Sequence, residues 1–439
     1  MAVKVAGGSQ GSLLSNDTEI FMSIRPFSTL ANLAVAMTIV ACADRTTEPS
    51  PAARAAALTA LPRALTPAER GVLDASNAYS FALWRTINAS SRDSNVFVSP
   101  LSASFALGMT MNGANGQTYD EMRSALQFGD ASLASIDTGY RSLIALLTSI
   151  DPSTTMQIAN AIFYRNDFPF NQSFLTDASA YFDAEVTAQD FSNTQATLAA
   201  VNGWASAKTH DRIPKILDAV DPSTVMYLIN AIYFKGIWRD QFEVAQTRDA
   251  PFHAVSGDQP ARLMHREGTI DYAETTAFQA VDLPYGDSAF TMTVLLPKAG
   301  SSVESVAASL TPDTWRSLAA SFHPRDVELF LPKVTLSWKR GLIPDMQALG
   351  MRAAFGDADF TRMSPRGRDL VISLLQQNTF VDIDEEGTEA AAVTIVGVAL
   401  TSAPVATPVR VDRPFVFVIR ERLSGTVLFM GKITRLPSA

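Results

Sequence analysis

At 439 residues the chain has room for one large domain or two or three small ones, and a hydrophobic share of 47% excludes global disorder. A net charge of −9, with no basic cluster to offset it, excludes nucleic acid as a main partner. The single cysteine, Cys42, permits no internal disulfide.

The first predicted element is an export signal over residues 1–41. Met22-Ser23-Ile24-Arg25 leads into a mostly apolar run, Pro26–Val40, with Ser28, Asn32 and Thr38 as polar breaks. A short positive start, an apolar centre and small residues before a cut are the pattern of a secretory leader. The run is too short and too interrupted for a membrane-spanning helix. Ile39-Val40-Ala41-Cys42 resembles a bacterial lipobox, which implies a lipid on Cys42 and an anchor to the cell envelope. The alternative is a plain signal that happens to contain a cysteine, releasing an extracellular protein. Met22 is an alternative start, because residues 1–21 add polar sequence ahead of the signal. Residues 42–67, rich in Ala, Thr, Pro and Arg without apolar period, read as a flexible tether.

A folded domain is expected over 68–437. Val72, Ala75, Tyr79, Leu83 and Ile87 recur at helical spacing. Asn95–Val98 is a short strand running into a helix from Pro100 to near Gly113, with Ser99 as its cap. Gly116–Met122 opens a helix with Thr118 as cap, and Ile136–Ile150 is another. Strand Met156–Tyr164, helix Phe174–Phe182, strand Ala184–Phe191 and helix Ala196–Arg212 follow. Thr224–Lys235 is a near-continuous apolar run, the mark of a buried central strand. Asn230 interrupts it and needs polar partners there. Phe278–Pro297 reads as a pair of strands, Val327–Ser337 as a strand, Leu342–Leu349 as a helix. Pro414–Arg420 and Thr426–Lys432 form a last strand pair, turning at Ser424-Gly425. Many helices mixed with long strands argue an α+β fold.

Residues 382–413 carry two readings. Asp384-Glu385-Glu386-Gly387-Thr388-Glu389 is charged with a glycine hinge, then Ala390-Ala391-Ala392 and Val393-Thr394-Ile395-Val396 suit a strand buried on both faces. No proline occurs from Asp382 to Ala403, so every N–H there is able to join a ladder. Yet Gly397, Thr401, Ser402, Pro404 and Pro408 read as an exposed loop. Glu385–Ala392 resembles the hinge of inhibitory serpins, and Val411–Phe417 the strand after their reactive loop. Asn230–Trp238 is similar to the family's long central strand. The resemblance spans about Ala68 to Pro437, and loop insertion is a known use of such a segment.

The resemblance implies a serpin fold: a large central mixed sheet, further sheets, eight to nine helices and an exposed reactive loop. It implies suicide inhibition of a serine protease by a monomer, through loop cleavage and insertion into the main sheet. Counting fourteen residues past Gly387 puts the reactive bond at Thr401–Ser402. Leu400–Thr401 and Ala399–Leu400 are alternatives that better suit chymotrypsin-like or elastase-like pockets. No Arg or Lys lies between Glu389 and Pro408, which disfavours a trypsin-like target. Ser99, Ser102 and Asn230 fall at the family's sheet-opening site, and Gln377 stands where many members have a histidine. Its amide is expected to reach Asn230, and without a titrating ring no histidine-type pH response is expected. Lys333 is expected to pair with Glu385 near Trp238; an unrelated surface lysine is the alternative.

No enzymatic machinery is legible. His210, His253, His265 and His323 lie in polar surroundings and outside metal-binding spacings, and no GxSxG elbow occurs within the expected domain 68–437. No metal or cofactor is expected. The alternative function is that of a non-inhibitory serpin acting as a carrier or surface binding protein, although such members tend to lose the small hinge residues kept here.

Overall fold

A computed structural model describes residues 1–5, 55–389 and 406–437. Two compact units are present, Met1–Ala6 with Ala57–Ala439, and Gly7–Ala56; every element below belongs to the first. Cys42 and the rest of the expected signal beyond Met1–Val5 lie outside the described residues, as do hinge residues Ala390–Ala392 and the candidate bonds at Ala399, Leu400, Thr401 and Ser402.

Strand β1 (Ala2–Val5) comes first, a strand where polar leader was expected. Helix α1 (Pro67–Ser90) is fixed at its start by a capping box between Thr66 and Glu69 with proline in the first turn. β2 (Val96–Val98) runs into α2 (Pro100–Met111), whose cap Ser99 accepts from the Ser102 N–H. Every residue of α2 is buried, which matches a helix apolar all round. α3 (Gly116–Ala125) departs from expectation at its cap: Asn115 precedes it, and Thr118 instead accepts from the Asp359 N–H at 2.8 Å.

α4 (Leu133–Ser149), β3 (Thr155–Arg165), α5 (Gln172–Phe182) and β4 (Ala184–Gln189) follow. α6 (Thr194–Lys208) stops before the expected Arg212 because His210 and Asp211 take φ of 48° and 63°, outside the helical region. Then come β5 (Thr224–Ile237), β6 (Arg248–Ala254) and β7 (Gly257–Glu274). The last two form a hairpin that carries little apolar alternation, so it was not legible as strand. β8 (Phe278–Pro284) and β9 (Phe290–Pro297) precede the short helices α7 (Val303–Ser309) and α8 (Pro312–Ser321).

The expected strand Val327–Ser337 is two, β10 (His323–Pro332) and β11 (Val334–Gly341), which part at Lys333 and enter different sheets. α9 (Ile343–Ala348), β12 (Leu370–Leu374), β13 (Gln376–Ile383) and β14 (Gly387–Thr388) lead to the loop. β15 (Thr407–Arg410), β16 (Phe415–Glu421) and β17 (Val427–Ile433) complete the chain, with nine α-helices among the described residues.

The nine-stranded sheet runs β15-β10-β7-β8-β9-β16-β17-β2, with β6 on β7. The eight-stranded sheet is mixed, with β3 and β4 parallel and the other pairs antiparallel. In it, β5 pairs with β3 along one edge. Its other edge meets β14 at one end, where Gly387 and Thr388 face Ile237 and Gly236, and β1 at the other, where Ala2 and Val3 face Tyr227 and Met226. Across from them lie β13 and β12 respectively. Between β14 and β1, among the described residues, no strand pairs with Ile229–Lys235 on this edge. The sheet thus contains a strand-wide slot, holding a cavity of about 70 Å³. The main core lies beneath it, and a smaller apolar cluster with Val201, Phe163 and Ile229 lies between its other face and α6.

Candidate functional site

The upper end of the slot is closed by the loop's own root. Asp384 makes a tight turn, its Oδ1 accepting from the N–H groups of Glu386 (2.9 Å) and Gly387 (3.2 Å). Burial raises its pKa. The turn brings Gly387 so close to β5 that a Cβ there would strike the Gly236 carbonyl oxygen, which is why only glycine fits. Trp238 clamps the same turn: its indole donates to the Asp384 carbonyl (2.8 Å), its N–H to the Glu386 carbonyl (2.7 Å), and its ring stacks on Tyr285 at 4.4 Å.

Lys333 Nζ donates to Glu385 Oε2 at 2.6 Å, and the Thr247 hydroxyl donates to Oε1 at 2.8 Å. Burial pushes the Glu385 carboxyl up, but these two donors outweigh it and hold its pKa below the ordinary value. The break between β10 and β11 is what puts Lys333 beside this glutamate.

Thr388 is 3% exposed and already inside the sheet, its hydroxyl sharing a 2.7 Å hydrogen bond with the Tyr285 hydroxyl beneath. The next residue leaves the ladder. Glu389 has φ 58°, a left-handed conformation uncommon outside glycine, so the strand stops there. Glu389 lies opposite Thr388 and is only 7% exposed, 3.5 Å from Arg212 and beside the Tyr233 hydroxyl. Desolvation raises its pKa despite Arg212. Arg212 reaches it because α6 ends early, and its guanidinium also lies over Phe380.

Halfway down, Gln377 does not reach Asn230. Its Oε1 accepts from the Ser99 N–H (2.9 Å) and its Nε2 donates to the Ser99 carbonyl (2.7 Å). One amide thus satisfies the donor and acceptor of a single buried residue, a better match than a distant side chain. The Ser99 hydroxyl donates to the Leu428 carbonyl at 2.9 Å while capping α2, and Ser102 lines the slot. Asn230 donates instead to Asn160 Oδ1 (2.8 Å) on β3, leaving its own Oδ1 buried without a partner at the slot. Asn160 in turn donates to the Phe182 carbonyl. Thr247, Tyr285, Arg212, Tyr233 and Asn160 were missed from sequence. Only Tyr285, in a Leu-Pro-Tyr-Gly run, carried a visible local signal.

His210, His253 and His323 are exposed and His265 half-buried, 3.4 Å from Glu328. Among the described residues no group of three or more His, Cys, Asp or Glu is placed to hold a metal, and no helix is long and apolar enough to cross a membrane. What the geometry offers is a ladder with a vacancy, entered from one end by a short strand continuous with the loop.

A family model described as Serpin (serine protease inhibitor) matches residues 74–436. Iripin-2 of Ixodes ricinus is 33% identical over 378 residues, covering 84% of this chain and 94% of that protein. The leukocyte elastase inhibitor of Sus scrofa is 32% identical over 377 residues, covering 82% and 98%. A solved structure of thyroxine-binding globulin in complex with thyroxine superposes with a TM-score of 0.76 at 27% identity, covering 83% of this chain and 99% of that one. With the match reaching from α1 to the last strand, and so across the whole slotted sheet, the chain belongs to the serpin family.

Proposed function

We propose that this chain inhibits a serine protease as a suicide substrate. The observation that carries the reading is the slot itself: Gly387 and Thr388 already occupy its first rungs, and among the described residues no strand pairs with the edge from Ile229 to Lys235 beyond them. The protease serine attacks the carbonyl carbon at the reactive bond, which lies at Thr401–Ser402 or, one or two residues earlier, at Leu400 or Ala399. The new amine end leaves with a proton, and the acyl ester holds the enzyme to the hinge side of the loop. That side then enters the slot. About 14 residues at ~3.3 Å each carry the enzyme roughly 45 Å. Loss of its oxyanion-hole geometry stops deacylation. The loop's lack of Arg and Lys, together with the likeness to an elastase inhibitor, supports an elastase-like or chymotrypsin-like target.

The likeness to thyroxine-binding globulin supports a second reading, a non-inhibitory carrier. Incubation with pancreatic elastase or chymotrypsin separates the two. The inhibitor gives a complex stable in SDS, the carrier only a cut loop. In the inhibitor, Thr388→Arg places a cation against buried Tyr285 at a cost of several kcal/mol, so the variant is cut at the same bond and released. Unchanged stoichiometry in Thr388→Arg would show that insertion from this hinge is not the mechanism.

We also propose that the protein acts as a monomer tied to the cell envelope by a lipid on Cys42. Mass spectrometry of the mature chain should find an acylated Cys42 at its start, and Cys42→Ser should move the protein from the detergent phase to the aqueous phase. Any other mature end overturns the anchor.

A further inference from the structure

The lower end of the slot is not empty. β1 lies between β5 and β12, with Ala2 and Val3 facing Tyr227 and Met226 on one side, and Leu374 and Ile372 on the other. Val3 is fully buried and Ala2 only 2% exposed. The Met1 nitrogen donates to the Leu228 carbonyl at 2.7 Å, and the Lys4 ammonium lies 3.6 Å from Asp221. Side chains alternate: Met1 and Val3 enter the main core, while Ala2 joins the cluster under α6.

Register shows which strand β1 displaces. Thr388 faces Gly236, and a loop continuing antiparallel steps one residue back along β5 for each residue forward. Val396 would then meet Leu228, Gly397 would meet Tyr227 and Val398 would meet Met226. Those rungs are held by Met1, Ala2 and Val3. The face agrees as well: Val396 and Val398 share parity with core-facing Thr388, as Met1 and Val3 are core-facing. Size agrees too, with Ala2 at the place of Gly397 and Val3 at that of Val398.

We propose that Met1–Val5 is a detachable strand that mimics the far end of the inserted loop and blocks the lower half of the slot until it is expelled. This rests on the loop-insertion reading above. Among the described residues nothing pairs with the rungs that 389–395 would take, whereas 396 onward must evict β1. While β1 stays, insertion stalls about halfway and a cut loop is released rather than trapped. Removal of the segment ahead of Cys42, expected of an export signal, would take β1 with it. The cut that matures the chain would then also arm it.

Peptide annealing tests this without any protease. Two synthetic peptides are used, one with the sequence of residues 389–395 and one with that of 389–401, on the full chain, on Val3→Asp, on Val3→Ile and on a chain begun at Met22. The short peptide fits the free rungs and should bind all four, which also reports that each is folded. The long peptide should bind the full chain and Val3→Ile no better than the short one. It should bind Val3→Asp and the Met22 chain at least about tenfold tighter than the short one, through the added rungs. The Leu228 N–H donates to the Met1 carbonyl at 2.8 Å, and strand alternation turns the Met226 N–H to the same side, so hydrogen exchange at Leu228 and Met226 should be slow in the full chain, fast in Val3→Asp, and slow again once the long peptide is bound. Equal gain from the longer peptide in the full chain and Val3→Asp overturns the proposal. Elastase then provides a separate readout: if no chain forms a stable complex but the peptide difference holds, the inhibitory reading fails and the blocking strand stands.

Discussion

Glu389 is where the loop turns out of the sheet, and its chemistry makes the turn pH-sensitive. Desolvation raises its pKa, and Arg212 at 3.5 Å only partly offsets this. A raised folded-state pKa means that the fold favours the protonated acid. The stability this contributes is complete below the ordinary glutamate pKa and is lost as pH rises through the higher folded value. Glu389→Gln carries a neutral amide at every pH. Melting curves from acid to neutral pH should therefore show the parent losing ground to Glu389→Gln as pH climbs. A difference that stays constant with pH would mean that the Glu389 carboxylate is not desolvated in solution. Glu385 behaves in the opposite sense. Its lowered pKa adds stability above the ordinary glutamate pKa, and this is lost as acid protonates it and breaks the Lys333 pair.

At the level of elements, the nine-stranded sheet is pinned by a buried charge network. Arg420 on β16 donates to Asp282 on β8, and Thr293 on the intervening β9 donates to the same carboxylate. Both charged side chains are about 5% exposed. Removing one partner strands the other charge in the core, so Asp282→Ala should cost about 3–5 kcal/mol in chemical denaturation. Replacing the pair by apolar residues of similar volume should cost much less. A loss below about 1 kcal/mol for Asp282→Ala would show that water reaches Arg420. The long apolar runs of β8, β9, β16 and β17 were legible because strands covered on both faces read as continuous hydrophobic stretches. β6 and β7 were not, because a polar edge hairpin carries no such signature.

For the molecule as a whole, the rungs that no described residue pairs with imply, on the loop-insertion reading proposed above, a native fold short of its most stable pairing. In a chain without β1, filling the slot with about 14 residues, each adding a net ladder bond of about 1 kcal/mol, is worth on the order of 10 kcal/mol, and with β1 in place about half of that. Cutting the loop between Ala399 and Ser402 should therefore raise the melting temperature by roughly 10–20 °C. An ordinary nicked loop gains nothing. The gain should be largest in a chain without β1, where every rung is free, and equal melting before and after the cut would favour the carrier reading.

The hinge, the glycine, the run of small and β-branched residues without proline, and seven of the nine described helices were readable from sequence; the short α7 and α8 were not. Each is a local property: a backbone that must pass close to its neighbour, a chain free to donate along its length, a period that says which face is buried. Periodicity does not say against what a face is buried. That Gln377 pairs with Ser99 rather than Asn230, that Lys333 separates two sheets, and that Arg212 reaches Glu389 were decided by elements brought together from distant parts of the chain. The clearest case is β1. Nothing in Met1-Ala2-Val3-Lys4-Val5 marks a strand, since five residues carry no reliable period. Its place is set by two edges more than 200 positions away, whose unpaired backbone groups accept a short apolar segment of matching register.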